Sequence, residues 1–266
     1  MTSFHLLSCA LGAVVLVLIA FSAGLLLGSA PERDVLYQVS TIDALLQGVY
    51  DGVAPIDDLA RHGDFGLGCF DTLDGELIGL DGVWYRIPAD GRVRQVPGNA
   101  TVPFAAVTFF EPDITLPLTG PVNLTGCEAR LDTVIPSENL FYAVRIDGTF
   151  ATVTARSEPA QEKPYRPLVD VIEDEEVVFH LENVTGTVVG FRTPALARGV
   201  NIPGYHLHFI TGDRTAGGHI LDFYLLNGTA AIDVTPDFLM RLPTEGDFCT
   251  TDLTLDQQEA LVSVEK

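Results

Sequence analysis

Residues 204–226 read GYHLHFITGDRTAGGHILDFYLL, and this pattern decides the fold class. Tyr205, Leu207 and Phe209 alternate with His206 and His208, a period of two that belongs to a strand. Loop 211–216, rich in Gly and Asp, is long enough to turn back into a second strand that begins at Gly217-Gly218-His219. A register with residue 208 opposite 219 brings three imidazoles to one face, with opposed Cβ atoms about 5 Å apart. Three imidazoles with open positions are the ligand set of a catalytic metal, most often Zn²⁺. His206, His208 and His219 are therefore the candidate metal ligands. The bland alternative is three hydrogen-bonded rings on a polar sheet face; three at this spacing favour the metal. A cupin-type site would add a Glu soon after the H-x-H, and no Glu stands between Glu182 and Glu245. His5, His62 and His180 are isolated.

Outward from this pair the period of two continues. Tyr205–Ile210, His219–Leu226 and Thr229–Val234 read as a β-meander, with Asn227-Gly228 as a tight turn. Glu176–Leu181 and Thr187–Phe191 read as strands around Asn183. Leu140–Ile146 and Thr149–Arg156 flank Asp147-Gly148, and Glu76–Leu80 and Val83–Ile87 flank Asp81-Gly82, both as hairpins. Val102–Phe110 is a buried-strand candidate. Leu36, Val39, Ile42, Leu45, Leu46 and Val49 recur at helical spacing and predict a helix over about 35–50. A shorter helix covers Ile56 to Arg61, and Asp256 with Glu259 marks a capping box for a C-terminal helix. The class is α/β of the α+β type, strand-rich with helices at its ends. Pro159, Pro164 and Pro167 suggest a boundary within 157–170. The expected organisation is an N-terminal segment 1–30, a β-rich lobe with leading helices over 31–160, and a β-meander lobe carrying the histidines over 161–266.

The 266 residues carry 36 acidic and 15 basic side chains, a net charge of −21. That charge excludes nucleic acid as partner, because phosphate binding needs clustered Lys and Arg, and the only Lys are Lys163 and Lys266. From Leu6 to Ser29 there is no charged residue, a run long enough to cross a bilayer. An uncleaved membrane anchor through residues 6–29 is preferred to a cleaved signal, since nothing basic precedes the run and Pro31 follows Gly28-Ser29-Ala30. Asn99, Asn123, Asn183 and Asn227 each begin N-x-T where chance gives about one. Export, with a glycosylated domain outside the cytoplasm, is the expectation; turn chemistry is the alternative for the Asn residues. Cys69, Cys127 and Cys249 leave room for one disulfide that sequence cannot assign.

Several stretches together resemble alpha-acetolactate decarboxylases. They are Gly63-Asp64-Phe65-Gly66-Leu67-Gly68 with Leu73-Asp74-Gly75-Glu76-Leu77, then Gln161-Glu162-Lys163-Pro164-Tyr165, then Gly190-Phe191-Arg192-Thr193-Pro194, and the run from Asn201 to Phe209 with Gly217-Gly218-His219. The resemblance runs from about Val39 to the C-terminus. It implies conversion of 2-acetolactate to acetoin and CO₂ with zinc and no organic cofactor. It also implies two β-rich lobes with mixed or antiparallel sheets, the metal site between them, and a homodimer. By resemblance His206, His208 and His219 hold the zinc, and Arg156, Glu76 and Glu265 are catalytic. Cys69 departs from the Thr common in the family, which bears on rate or selectivity if that side chain touches substrate.

The residue types fit such chemistry. Losing CO₂ from a β-keto acid leaves electron density on the former ketone oxygen, and a Lewis-acidic metal and a cation stabilise it. Arg156 suits a departing carboxylate. Glu76 or Glu265 suits the proton donor if burial raises its pKa. Two other classes share the three histidines: an exported zinc-bearing binding module, which needs neither Arg156 nor Glu76, and an oxygenase, which consumes oxygen.

Overall fold

In the computed structural model, which describes residues 33–265, the first element is a strand, Val35–Val39, and not the start of a helix. This strand lies inside a seven-stranded sheet, parallel to Asp237–Arg241 and antiparallel to Phe104–Thr108. Both of its faces are covered, so Leu36, Tyr37 and Val39 are all buried. Read together with the following turn of helix, they imitate helical spacing. Ser40, at φ 62°, turns the chain, and the Thr41 hydroxyl accepts from the Ala44 amide at 3.2 Å to start the helix Ile42–Leu46. Val53–Leu59 holds the short second helix, Ile56–Leu59, where expected.

The sheet continues from Phe104–Thr108 through Phe65–Cys69, Glu76–Leu80 and Val83–Ile87 to Arg94–Gln95. Asp81 and Gly82 take φ 54° and 74°, the pair of positive values that a two-residue hairpin needs, and the expected hairpin forms.

The second sheet has six strands and is built from three long ones, Phe141–Ser157, Val177–Thr193 and Gly217–Thr235, with Gly204–Thr211, Ile114–Leu118 and Val122–Asn123. The hairpin expected at Asp147-Gly148 and the turn at Asn227-Gly228 are absent, and the two strands expected on either side of Asn183 are one: each of these positions lies inside a continuous strand. Gly148 pairs with Gly186 on one side and Gly228 on the other, so these glycines form a row across the sheet. A Cβ on Gly228 would stand 2.7 Å from the Asp147 carbonyl oxygen. The glycines answer close backbone approach rather than reversal. Pairings run from Gly217–Thr235 to Phe141–Ser157, Val177–Thr193, Gly204–Thr211 and back to Gly217–Thr235.

Phe150, Phe209 and Phe223 fill the interior of this ring of strands, with edge-on ring pairs at 5.1 and 5.4 Å. A second cluster joins the sheets: Leu36, Phe65 and Ile78 of one meet Phe141, Phe191 and Ile210 of the other. Helices Ile42–Leu46, Leu168–Glu175 and Gln258–Val264 share a third cluster at one end. The described residues, 33–265, belong to one compact unit, and strands from both sides of residue 160 enter each sheet. Cys69, Cys127 and Cys249 are all free thiols.

The expectations of a membrane anchor or signal, of an exported location and of glycosylation are corrected. Residues 6–29 lie outside the described residues. Among the described residues no helix is long and apolar enough to cross a membrane; Leu124–Asp132, with nine residues, falls well short of the ~20 a bilayer requires. The Asn positions have local structural uses. The Asn123 side chain caps Leu124–Asp132 by accepting from the Gly126 amide, and Asn183 takes a left-handed φ of 52° inside a strand.

Candidate active site

His206 and His208 project from the strand Gly204–Thr211, and His208 stands directly opposite His219, the register the spacing predicts. All three side chains are buried. One ring nitrogen from each lies within 4.8 Å of the others. The Nδ1–H of His208 donates to the Leu77 carbonyl at 2.9 Å, which leaves Nε2 as the free lone pair. That Nε2 is buried and makes no hydrogen bond, an orphan that a metal ion would satisfy.

The rings are held neutral. Burial pushes His208 down to about 3, against the pull of its bond to Leu77 and with the Arg156 cation adding to the shift. Burial likewise drives His206 and His219 well below the ordinary imidazole value, aided by Arg156 and by the neighbouring rings. Neutral imidazole is the metal-binding form. The donor set therefore fits a divalent metal, and zinc among them.

Arg156 ends the long strand Phe141–Ser157 and is buried. Its guanidinium reaches the Val264 carbonyl and Glu176, the latter at 3.5 Å. Its Nε lies 3.3 Å from Glu158 Oε1, an ion pair whose geometry makes no hydrogen bond. Glu76 opens the hairpin strand Glu76–Leu80, with Oε2 3.3 Å from His208 Nε2. Burial lifts its carboxyl well above the usual range, and the neighbouring Glu158 charge lifts it further. Glu265 follows the last helix, Gln258–Val264, and places Oε2 3.8 Å from His219 Nε2. Burial pushes this carboxyl up to about 7, against Arg156. All six residues singled out in the sequence thus come together.

All of them but His208 line a small cavity of about 40 Å³, whose wall also includes Gly68, Cys69, Phe104 and Ile202. Two members of the site were missed in the sequence. Glu158 is buried in the cavity wall, and the Val264 carbonyl anchors Arg156. The first had a signal: in Arg156-Ser157-Glu158 the outer two residues share one face of an extended chain. The second, a backbone atom, had none.

The sequence model of the family described as alpha-acetolactate decarboxylase matches residues 36–255, which begins after the apolar segment and ends before Glu265. An alpha-acetolactate decarboxylase of Methanosarcina mazei is 58% identical over 233 residues, covering 88% of this chain and 81% of that protein. One of Bacillus subtilis is 44% identical over 218 residues, covering 82% and 85%. The crystal structure of alpha-acetolactate decarboxylase from Bacillus subtilis strain 168 superposes with a TM-score of 0.84 at 42% identity, over 87% of this chain and 98% of that one.

Proposed function

The chain belongs to the alpha-acetolactate decarboxylase family and is a carboxy-lyase, and from that premise we propose that it converts 2-acetolactate to acetoin and CO₂ with one zinc ion held by His206, His208 and His219. The observation that carries this reading is the convergence of three buried, neutral imidazoles beside a buried arginine and two protonatable carboxyls. Bound there, the ion supplies Lewis acidity toward substrate oxygens where negative charge develops.

The chain's own residues do the rest. Arg156 receives the substrate carboxylate, a planar anion that matches its fork of N–H donors. When the bond from this carboxylate to C2 breaks, the electron pair stays on C2 and spreads toward the ketone oxygen, and CO₂ leaves. One proton must then reach C2 for each turnover. Glu76 and Glu265 flank the cluster and are the donors at hand. A donor on one face yields one acetoin enantiomer. The small cavity and its apolar wall of Ile42, Leu45 and Leu168 keep bulk water from competing.

The test is turnover by metal-free protein reconstituted with zinc. Acetoin and CO₂ appear in equal amounts from 2-acetolactate, at the same rate with and without oxygen. Zinc-loaded, folded protein that makes no acetoin would overturn the reading.

A further inference from the structure

Three buried polar atoms of the site have no hydrogen-bond partner: His208 Nε2, and, in the cavity wall, Arg156 Nε and Glu158 Oε1. Such atoms are rare in folded proteins, and each calls for a partner. The first is a lone pair, for which the metal reading already accounts. The other two are a donor and an acceptor, 3.3 Å apart yet misaligned for each other. Glu158 is only 3% exposed, so water outside the cavity does not serve it; its carboxylate also meets the Glu76 carboxyl, and Oε1 stays without a partner. A ligand that satisfies both must carry an acceptor for Arg156 and a donor for Glu158 on adjacent atoms.

We propose that Glu158 contacts the substrate directly, accepting a hydrogen bond from the 2-hydroxyl, and thereby selects 2-hydroxy-3-oxo acids over 3-oxo acids that lack the hydroxyl. This rests on the decarboxylase reading above and deepens it. A 2-hydroxy acid offers the needed pair on one carbon: the carboxylate accepts from Arg156 and the hydroxyl donates to Glu158. A 3-oxo acid without the hydroxyl offers only acceptors. Its carboxylate would then sit by Arg156 with the Glu158 charge beside it and nothing between. A site built around a substrate hydroxyl rejects the analogue lacking it, because its buried acceptor is left unpaired. Glu158 is a counter-ion of Arg156 at 3.3 Å, and because the pair is not hydrogen-bonded its Oε1 keeps the capacity to accept from a ligand.

The experiment compares kcat/KM for 2-acetolactate and for 2-methyl-3-oxobutanoate, the same skeleton with hydrogen in place of the hydroxyl, after subtraction of uncatalysed decarboxylation. The ratio between the two substrates is the readout, in wild type, Glu158→Gln and Glu158→Leu. Contacts of the hydroxyl with other groups cancel when ratios are compared between proteins. The ratio falls at least ~10²-fold in Glu158→Leu, which has no acceptor, and about 10-fold in Glu158→Gln, which keeps a neutral one. If Glu158 serves only to hold Arg156, both substrates lose equally and the ratio is unchanged, which overturns the proposal. Should Glu158→Leu fail to fold, the Glu158→Gln ratio decides by the same rule. Wild type that does not decarboxylate 2-acetolactate overturns the decarboxylase reading itself, and this proposal with it.

Discussion

Arg156 stands directly opposite His219 across the antiparallel pairing of Phe141–Ser157 with Gly217–Thr235. A permanent cation is thereby held at the histidine cluster by backbone register and not by a flexible loop. It depresses the basicity of all three rings and ties down the Val264 carbonyl at the end of the last helix. Arg156→Ala is expected to lower kcat by at least ~10²-fold, the scale of a lost charge-stabilising donor. Arg156→Lys should not restore it, because an ammonium lacks the planar fork. Steady-state kinetics with parallel zinc analysis checks this; full kcat in Arg156→Ala would remove Arg156 from the chemistry.

Metal content follows the histidines. Purified protein should carry ~1 zinc per chain, and His206→Ala or His208→Ala should lose it. A strong chelator should abolish turnover and lower Tm, since a ligand that binds only the folded state stabilises it by mass action. Elemental analysis and calorimetry read both effects. Active protein with no metal would sink the assignment.

The two carboxyls can be separated. Glu76→Gln keeps shape and removes proton transfer, and it should lower kcat at least ~10²-fold with little change in KM. Glu265→Gln is the paired experiment, read by chiral analysis of the acetoin formed. If Glu76→Gln retains full turnover and a single enantiomer, Glu265 takes the role of donor.

The histidine register was legible because a strand's period of two is strict: once 206 and 208 share a face, the length of the loop places 219 opposite. The hairpin at Asp81-Gly82 was legible for a similar reason, as two residues at positive φ are what Asp-Gly supplies. The same dipeptide misled at Asp147-Gly148. There the demand on glycine comes from neighbouring strands 38 and 80 residues along the chain, at Gly186 and Gly228, and no local pattern carries it. The strand Val35–Val39 was missed because both its faces are buried, which erases alternation. Glu158, two residues from Arg156, shares its face of the extended chain, but its burial depends on packing that no local pattern carries.

The glycine row gives its own prediction. Gly228→Ala places a Cβ 2.7 Å from the Asp147 carbonyl oxygen, a backbone atom that cannot swing aside. The strands must separate locally, at a cost of about 1–3 kcal/mol by the scale of overpacked cores. A reversal at Asn227-Gly228 would have tolerated small substitutions differently, since it would lie at an exposed turn. Denaturant unfolding that gives Gly228→Ala the stability of wild type would show that the close approach is not sustained in solution.

Asp233 makes stability depend on pH away from the active site. It is fully buried on Gly217–Thr235, where Oδ2 accepts from the Glu111 amide at 3.1 Å and Oδ1 has no partner. Burial, followed by the charges of Asp113, Asp34 and Asp64, raises its pKa from 3.8 to about 7. The folded state therefore binds a proton that the unfolded chain has released anywhere between those values. Stability from this group falls as pH rises from about 4 to about 7, and the loss is complete above. This is opposite in sign to a carboxylate held by an ion pair. Asp233→Asn removes the charge, keeps an acceptor for Glu111, and offers its NH₂ to the surrounding carboxylates. At pH 8 it should stabilise the protein by roughly 1–3 kcal/mol, and near pH 4 the difference should shrink toward zero. Chemical denaturation of both proteins across that range reads the slope directly; a gap that stays constant with pH would mean that Asp233 is ionised in the folded chain throughout.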